Sequence, residues 1–209
     1  MKSETQLKSE ARRLESAGDY DRALALYDEA LRAALRDPDA MPEPTLYLRI
    51  ADLHFRLGRP DDAMEYYRGA AGLYRELGLM VNAVAVWKKV VRVYPEEPEP
   101  LRRLAELQLD MGLVAEARVS LRAYVEARAG AEAGVDGAVH DDVVEALRAF
   151  LDRDPDPGLA IVLARRLAAR NGRPEALQTL RDVRERAMAE GRVAAELERE
   201  LRALRQGKT

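Results

Sequence analysis

The chain's two histidines, His54 and His140, are the first place to look for acid–base or metal chemistry, and they stand 86 residues apart. His140 precedes Asp141 and Asp142, a trio able to hold a cation. The same three residues equally make the polar first turn of a helix, where carboxylates are favoured by the macrodipole. Asp61-Asp62 behind Pro60 has the same explanation. Pro95-Glu96-Glu97-Pro98-Glu99-Pro100 is rich in carboxylates, but its prolines hold the backbone extended and splay the side chains, so it reads as a solvated connector. With no cysteine there is no thiolate nucleophile, disulfide or cysteine-ligated zinc. No Gly-rich phosphate loop, His-Glu-x-x-His or Gly-x-Ser-x-Gly is present. What remains is the chemistry of recognition. Tyr66, Tyr67, Tyr74, Trp87 and Tyr94 could stack on a ligand, although at helical spacing Tyr67 and Trp87 fit better as wedges between helices. The pairs Arg102-Arg103 and Arg165-Arg166 carry the planar donor fork that matches carboxylates on a peptide. We therefore expect no enzymatic activity, no metal and no cofactor.

The elements that must position these residues follow from composition and punctuation. Of 209 residues 47% are apolar and 34% charged, and 37 acidic against 34 basic side chains leave a net charge of -3. That balance supplies no basic field, so neither nucleic acid nor a membrane surface is an expected partner. The charged N-terminus lacks the apolar run of a secretory signal and no window approaches a membrane span, which leads to the expectation of a cytoplasmic protein. Prolines cluster at 38–44, 60, 95–100, 155–157 and 174. Between them, Ala, Leu, Arg and Glu carry apolar positions at three- and four-residue spacing, with no alternating β-branched run. The periodicity predicts an all-α protein with helices over 3–17, 21–36, 43–57, 61–77, 80–94, 98–111, 115–129, 139–153, 157–171, 174–190 and 192–206.

An internal repeat organises them. In five places an alanine is followed seven residues later by Gly or Asn and five further on by another alanine: Ala11–Gly18–Ala23, Ala51–Gly58–Ala63, Ala71–Gly78–Ala83, Ala105–Gly112–Ala117 and Ala164–Asn171–Ala176. The central residue accepts the left-handed conformation that closes a helix, and the alanines fall where two helices of a hairpin approach closely. Nine residues after each turn stands a large side chain, respectively Tyr27, Tyr67, Trp87, Leu121 and Leu180.

On these residues the chain resembles the tetratricopeptide repeat family in a divergent form. Gly18-Asp19-Tyr20-Asp21-Arg22-Ala23-Leu24-Ala25-Leu26-Tyr27-Asp28-Glu29-Ala30-Leu31 is similar to that family's turn and second helix, and 45–70, 98–125 and 158–183 follow the pattern. The resemblance implies a right-handed α-solenoid of about 11 helices, here one domain over 1–209. Because Ala51, Ala105 and Ala164 are separated by 54 and 59 residues, we expect three-helix copies at 43–95, 98–155 and 157–206 behind an N-terminal hairpin, 3–36. In the middle copy the second turn is expected to widen into a mobile loop over 129–138.

The family's members imply a non-catalytic module that binds a peptide or helix of another protein along first helices. By that analogy the expected binding residues are Leu48, Asp52, Phe55 and Arg56 in one copy and Arg102, Glu106, Leu109 and Asp110 in the next. These positions lack the Lys/Asn constellation with which some members hold a peptide's terminal carboxylate. Two other readings stay open: an RNA-binding helical repeat, supported by the abundance of arginine, and a self-assembling subunit, since a solenoid end can pair with its own copy.

Overall fold

A computed structural model describes residues 2–36, 42–131, 141–169, 172–191 and 195–207. The described residues form eleven α-helices and no strand: α1 (Glu4–Ser16), α2 (Tyr20–Ala34), α3 (Pro44–Arg56), α4 (Pro60–Glu76), α5 (Met80–Val93), α6 (Pro98–Asp110), α7 (Val114–Ala131), α8 (Asp141–Arg153), α9 (Pro157–Ala169), α10 (Arg173–Ala189) and α11 (Ala195–Arg205). Each coincides with an expected helix to within about three residues. The exception in kind is the expected loop over 129–138, because α7 continues to Ala131; the rest of that loop, with His140 and Asn171, lies outside the described residues.

Local chemistry sets the ends. Ser3 and Gln6 close a reciprocal capping box at α1, the Asp19 carboxylate accepts from the Arg22 amide at α2, and Pro44, Pro60, Pro98 and Pro157 open their helices, where the missing amide proton costs nothing. At the other end, Gly18, Gly58, Gly78 and Gly112 sit at φ between 69° and 82°. The residue after each donates its amide back across the turn to the carbonyl of Leu14, His54, Tyr74 and Gln108 respectively, at 2.8–2.9 Å. This satisfies a carbonyl that the helix end would leave bare, and only glycine takes that conformation without strain.

All ten alanines of the five triplets are buried, at 6% exposure or less. A methyl group there lets two helix backbones approach closely enough for Tyr27, Tyr67, Trp87, Leu121 and Leu180 to wedge beside them, and all five wedges are buried too.

The chain divides into two compact units, residues 1–95 and 96–209. In the first, each of α1 to α4 packs on the next helix, around a core that includes Leu7, Tyr27, Ile50 and Leu53. Gly69 of α4 admits the Tyr47 ring of α3, which a Cβ would meet at 2.7 Å. In the second unit α6 pairs with α7 and α9 with α10, while α8 touches α6, α7 and α9, and α11 closes on α9 and α10. Leu147, Phe150, Leu163 and Leu197 are among its fully buried side chains.

Candidate functional site

In the first unit the expected binding stripe runs down α3, with Leu48 and Asp52 half-buried and Phe55 and Arg56 exposed. Its members are already engaged by neighbouring helices. The Asp52 carboxylate accepts from the Tyr67 hydroxyl of α4 at 2.6 Å and pairs with the Lys89 ammonium of α5, which also lies 5.5 Å from the Tyr67 ring centroid. Burial, reinforced by Asp52, pushes the Tyr67 phenol well above its ordinary range. Phe55 meets Tyr94 edge-on with centroids 5.5 Å apart, and Arg56 donates to the Tyr20 hydroxyl at 3.0 Å with its guanidinium over the ring. These contacts join α3 to its neighbours and line neither of the clefts below.

A second constellation in this unit comes from α1, which the expected site omitted. Lys8 and Arg12 of α1 and Thr45, Leu46 and Arg49 of α3 surround a cleft of about 240 Å³ with Tyr27 and Glu43. Lys8 is paired with Glu4 at 2.8 Å and Glu43 at 3.1 Å, and its hydrogen bond to Glu4 holds its pKa above the usual lysine value. Arg49 reaches Glu15 at 3.4 Å, and Arg12 makes no ion pair among the described residues. Tyr27 donates to Glu15 at 3.1 Å, and burial with that carboxylate pushes its phenol up to about 12. The lysine and arginine at i and i+4 of α1 were legible in principle as one cationic face. Their helix belongs to the N-terminal hairpin, outside the three expected repeat copies, and so contributes nothing to the expected site.

In the second unit three expected residues come together. Arg102, Glu106 and Leu109 of α6 line a cleft of about 140 Å³ against α7 and α8, with Leu121, Asp142 and Glu145 among the other walls. Asp110 lies outside it and pairs with Arg153 of α8 at 3.5 Å, while the same guanidinium donates to the Leu109 carbonyl at 2.9 Å. Arg153 thus ties the C-terminal ends of α6 and α8. Arg102 is bound within its own helix to Glu106 at 2.7 Å. Asp142 accepts from the Tyr124 hydroxyl at 2.7 Å and from Arg128 at 2.9 Å. Burial alone would raise its pKa, but those two donors and the Val143 amide outweigh it and hold the carboxyl below its ordinary value. Asp142 is therefore a helix-start residue, as its sequence context indicated, and also a wall of the cleft, which no local pattern announced.

Further along, Asp154 and Asp156 are buried at the α8–α9 turn. Asp154 pairs with Arg118, and Asp156 with both Arg118 at 3.0 Å and Arg122 at 3.4 Å while capping α9 through the Leu159 amide at 2.8 Å. Of the expected arginine pairs, Arg165 is spent on a two-pronged bond to buried Glu200, both prongs 2.8 Å, which keeps that carboxyl below its usual range. Among the described residues no group of three or more His, Asp or Glu side chains is placed to hold a metal ion, and no helix is long and apolar enough to cross a membrane.

The model of the tetratricopeptide repeat family matches residues 9–77, which span α1 to α4 and both of their glycine-closed turns. Residues 9–77 carry the tetratricopeptide repeat pattern. A search of curated proteins finds no match. Solved structures similar to it include BtubC from P. vanneervenii, at 21% identity over 97% of this chain and 78% of that one with a TM-score of 0.33. A tetratricopeptide repeat protein from Parabacteroides merdae is 19% identical over 98% and 87%, with a TM-score of 0.30. A thermophilic repeat protein of Thermus thermophilus is 18% identical over 97% and 98%, with a TM-score of 0.29. None of these likenesses bears on what this repeat protein binds.

Proposed function

We propose that this chain is a non-catalytic binding module for a peptide or helical segment of another protein, working in the cytoplasm, a single solenoid domain over residues 1–209 with 43–95, 98–155 and 157–206 as its repeat copies. Tetratricopeptide repeats generally mediate protein–protein interaction, and stacked hairpins leave first-helix surface for that purpose. The observation that carries the reading is the α6–α7–α8 cleft, where Arg102, Glu106 and Leu109 surround an opening with an apolar floor. An open apolar recess with charges of both signs at its rim is a place for an anchoring side chain and a means of fixing its register.

The test is selection of a phage-displayed library of random 16-residue peptides on the intact chain. Enrichment of peptides that then bind in solution, and that bind more weakly to an Arg56→Glu, Arg102→Glu double variant with an unchanged melting temperature, is the expected result. Failure to enrich any peptide, with salt-dependent retention of RNA instead, would transfer the chain to the RNA-binding class.

A further inference from the structure

The α6–α7–α8 cleft has a chemistry of its own that narrows the partner. Its floor is hydrocarbon: Ala105 and Leu109 of α6, Leu121 of α7, and Ala146, Ala149 and Phe150 of α8. A cavity of about 150 Å³ accepts a benzene-sized group, so a cleft of about 140 Å³ has room for one aliphatic or small aromatic side chain. The rim carries the carboxylates of Glu106, Asp142 and Glu145 and a single cation, Arg102. Glu106 is already paired with Arg102 and Arg103 of its own helix, and Asp142 is satisfied by Tyr124 and Arg128. Glu145 is exposed and pairs with none of the described residues. Glu145 is therefore the rim carboxylate left without a cation among the described residues, and it stands one helical turn from Ala149, which is itself exposed at the cleft.

We infer that this cleft anchors one leucine- or isoleucine-sized side chain of a partner protein segment in which a lysine or arginine lies three or four residues from that anchor, placed to meet Glu145. The inference rests on the proposed binding function and specifies the chemistry of its partner. The apolar floor supplies the affinity, because it sheds water when filled. The unpaired carboxylate supplies the selection, attracting a basic segment and repelling an acidic one; a solvent-exposed rim pair of this kind changes affinity by a factor of about 1.5 to 5, and reversing one charge roughly squares that factor.

The experiment uses peptides enriched from the random library on the intact chain, re-measured by fluorescence anisotropy on Ala149→Trp, which fills the cleft, and on Glu145→Lys, which reverses the mouth. The expected outcome is a consensus pairing an aliphatic residue with Lys or Arg three or four positions away, at least tenfold weaker on Ala149→Trp and on the order of tenfold weaker on Glu145→Lys. Exchanging the peptide's basic residue for Glu should restore binding to Glu145→Lys, a rescue that no folding defect imitates and that stands alone if Ala149→Trp does not fold. Enriched peptides that are acidic, or that bind Ala149→Trp as tightly as the parent, overturn the inference while leaving the binding function standing. An empty selection removes both. A concentration-dependent mass in light scattering that Ala149→Trp abolishes would assign the cleft to a second copy of the chain and likewise overturn it.

Discussion

In the first unit the carboxylates of successive first helices are claimed twice, whereas in the second they are claimed within one helix or by the wrong neighbour. Glu15 of α1 accepts from Tyr27 of its own hairpin and pairs with Arg49 of α3; Asp52 of α3 accepts from Tyr67 of its own hairpin and pairs with Lys89 of α5. A tyrosine from behind and a cation from the next helix but one thus fasten α1 to α3 and α3 to α5. In α6 the residue in the register of Asp52 is Glu106, which is consumed by Arg102 and Arg103 of its own helix, while buried Gln108 receives the Ser120 hydroxyl at 2.7 Å. Tyr124 of α7 turns forward to Asp142 of α8. Arg153 fastens α6 to α8 at their far end, and between the two helices lies the apolar cleft. The lesson is that the same hairpin framework presents a closed face or an open one according to where one carboxylate finds its cation.

The largest expected effect tests whether the framework is in fact common to both units. Ala63 and Ala117 are fully buried at the hairpin contact of α3–α4 and α6–α7. Ala63→Leu and Ala117→Leu should each lower stability by about 1–3 kcal/mol through overpacking, read as a fall in thermal midpoint, while a charge change at exposed Glu96 stays silent. If one of the two leucines were tolerated like the Glu96 change, the hairpins of the two units would not share a contact, and the comparison would lose its basis.

That contact was legible in the sequence because everything that makes it is local: a small residue, a glycine seven positions on, another small residue five beyond. The helices themselves were legible for the same reason, through prolines at their starts and the apolar period between. Of the α6–α7–α8 cleft only the α6 wall was legible. Arg102, Glu106 and Leu109 do meet at one cleft, but its opposite wall, Asp142, Glu145 and Ala149, comes from a helix more than thirty residues later, and which face of α8 turns toward α6 depends on packing that no local spacing encodes. Asp52 was read as a charge available to a partner, and Lys89, 37 residues away, takes it. Asp154-Pro155-Asp156 looked like the end of one helix and the start of another, which it is. Its role in receiving Arg118 and Arg122 depends on a tertiary approach across α7.

Acid should loosen the second unit at Glu200. Glu200 of the second unit, buried and gripped by Arg165, has a folded pKa below its unfolded value of about 4.3. Its contribution is therefore fully present above that value and is lost as pH falls through the folded one. Glu200→Gln should cost about 1–2 kcal/mol at neutral pH, the strength of a charged hydrogen-bonded pair discounted because Arg165 is largely exposed. It should also flatten the loss of stability below pH 4. Denaturant titrations of the parent and variant at several pH values decide this, and parallel acid limbs in the two would mean that Glu200 titrates normally.

A smaller effect distinguishes the two directions in which the tyrosines point. Tyr67→Phe and Tyr124→Phe each remove one hydroxyl bonded to a carboxylate that keeps a cation, at a cost of about 1 kcal/mol. Tyr67→Phe should leave peptide binding at the α6–α7–α8 cleft unchanged. Tyr124→Phe should alter it, because Asp142, a wall of that cleft, then loses one of the donors that offset its charge. Identical binding by both variants would disconnect Asp142 from the cleft's recognition.

The smallest effect concerns the ion pairs that join alternate helices at the surface, Arg59–Asp21 at 3.0 Å in the first unit and Arg148–Glu175 in the second. All four side chains are between 46% and 68% exposed. Each pair must hold two solvated side chains in one geometry, and water and salt screen what attraction is gained, so Asp21→Ala and Glu175→Ala should each change stability by no more than about 0.5 kcal/mol. Raising the salt to about 0.5 M, where the Debye length falls below about 5 Å, should erase even that difference. The contrast with Asp52–Lys89 then becomes informative. That pair is about two-thirds buried and braced by a tyrosine hydroxyl, so the cost of Asp52→Ala should survive the same salt. If instead salt removed the Asp52→Ala penalty as completely as the other two, the carboxylate would be a surface charge like theirs, and its claim by Lys89 would no longer explain why the first unit's face is closed.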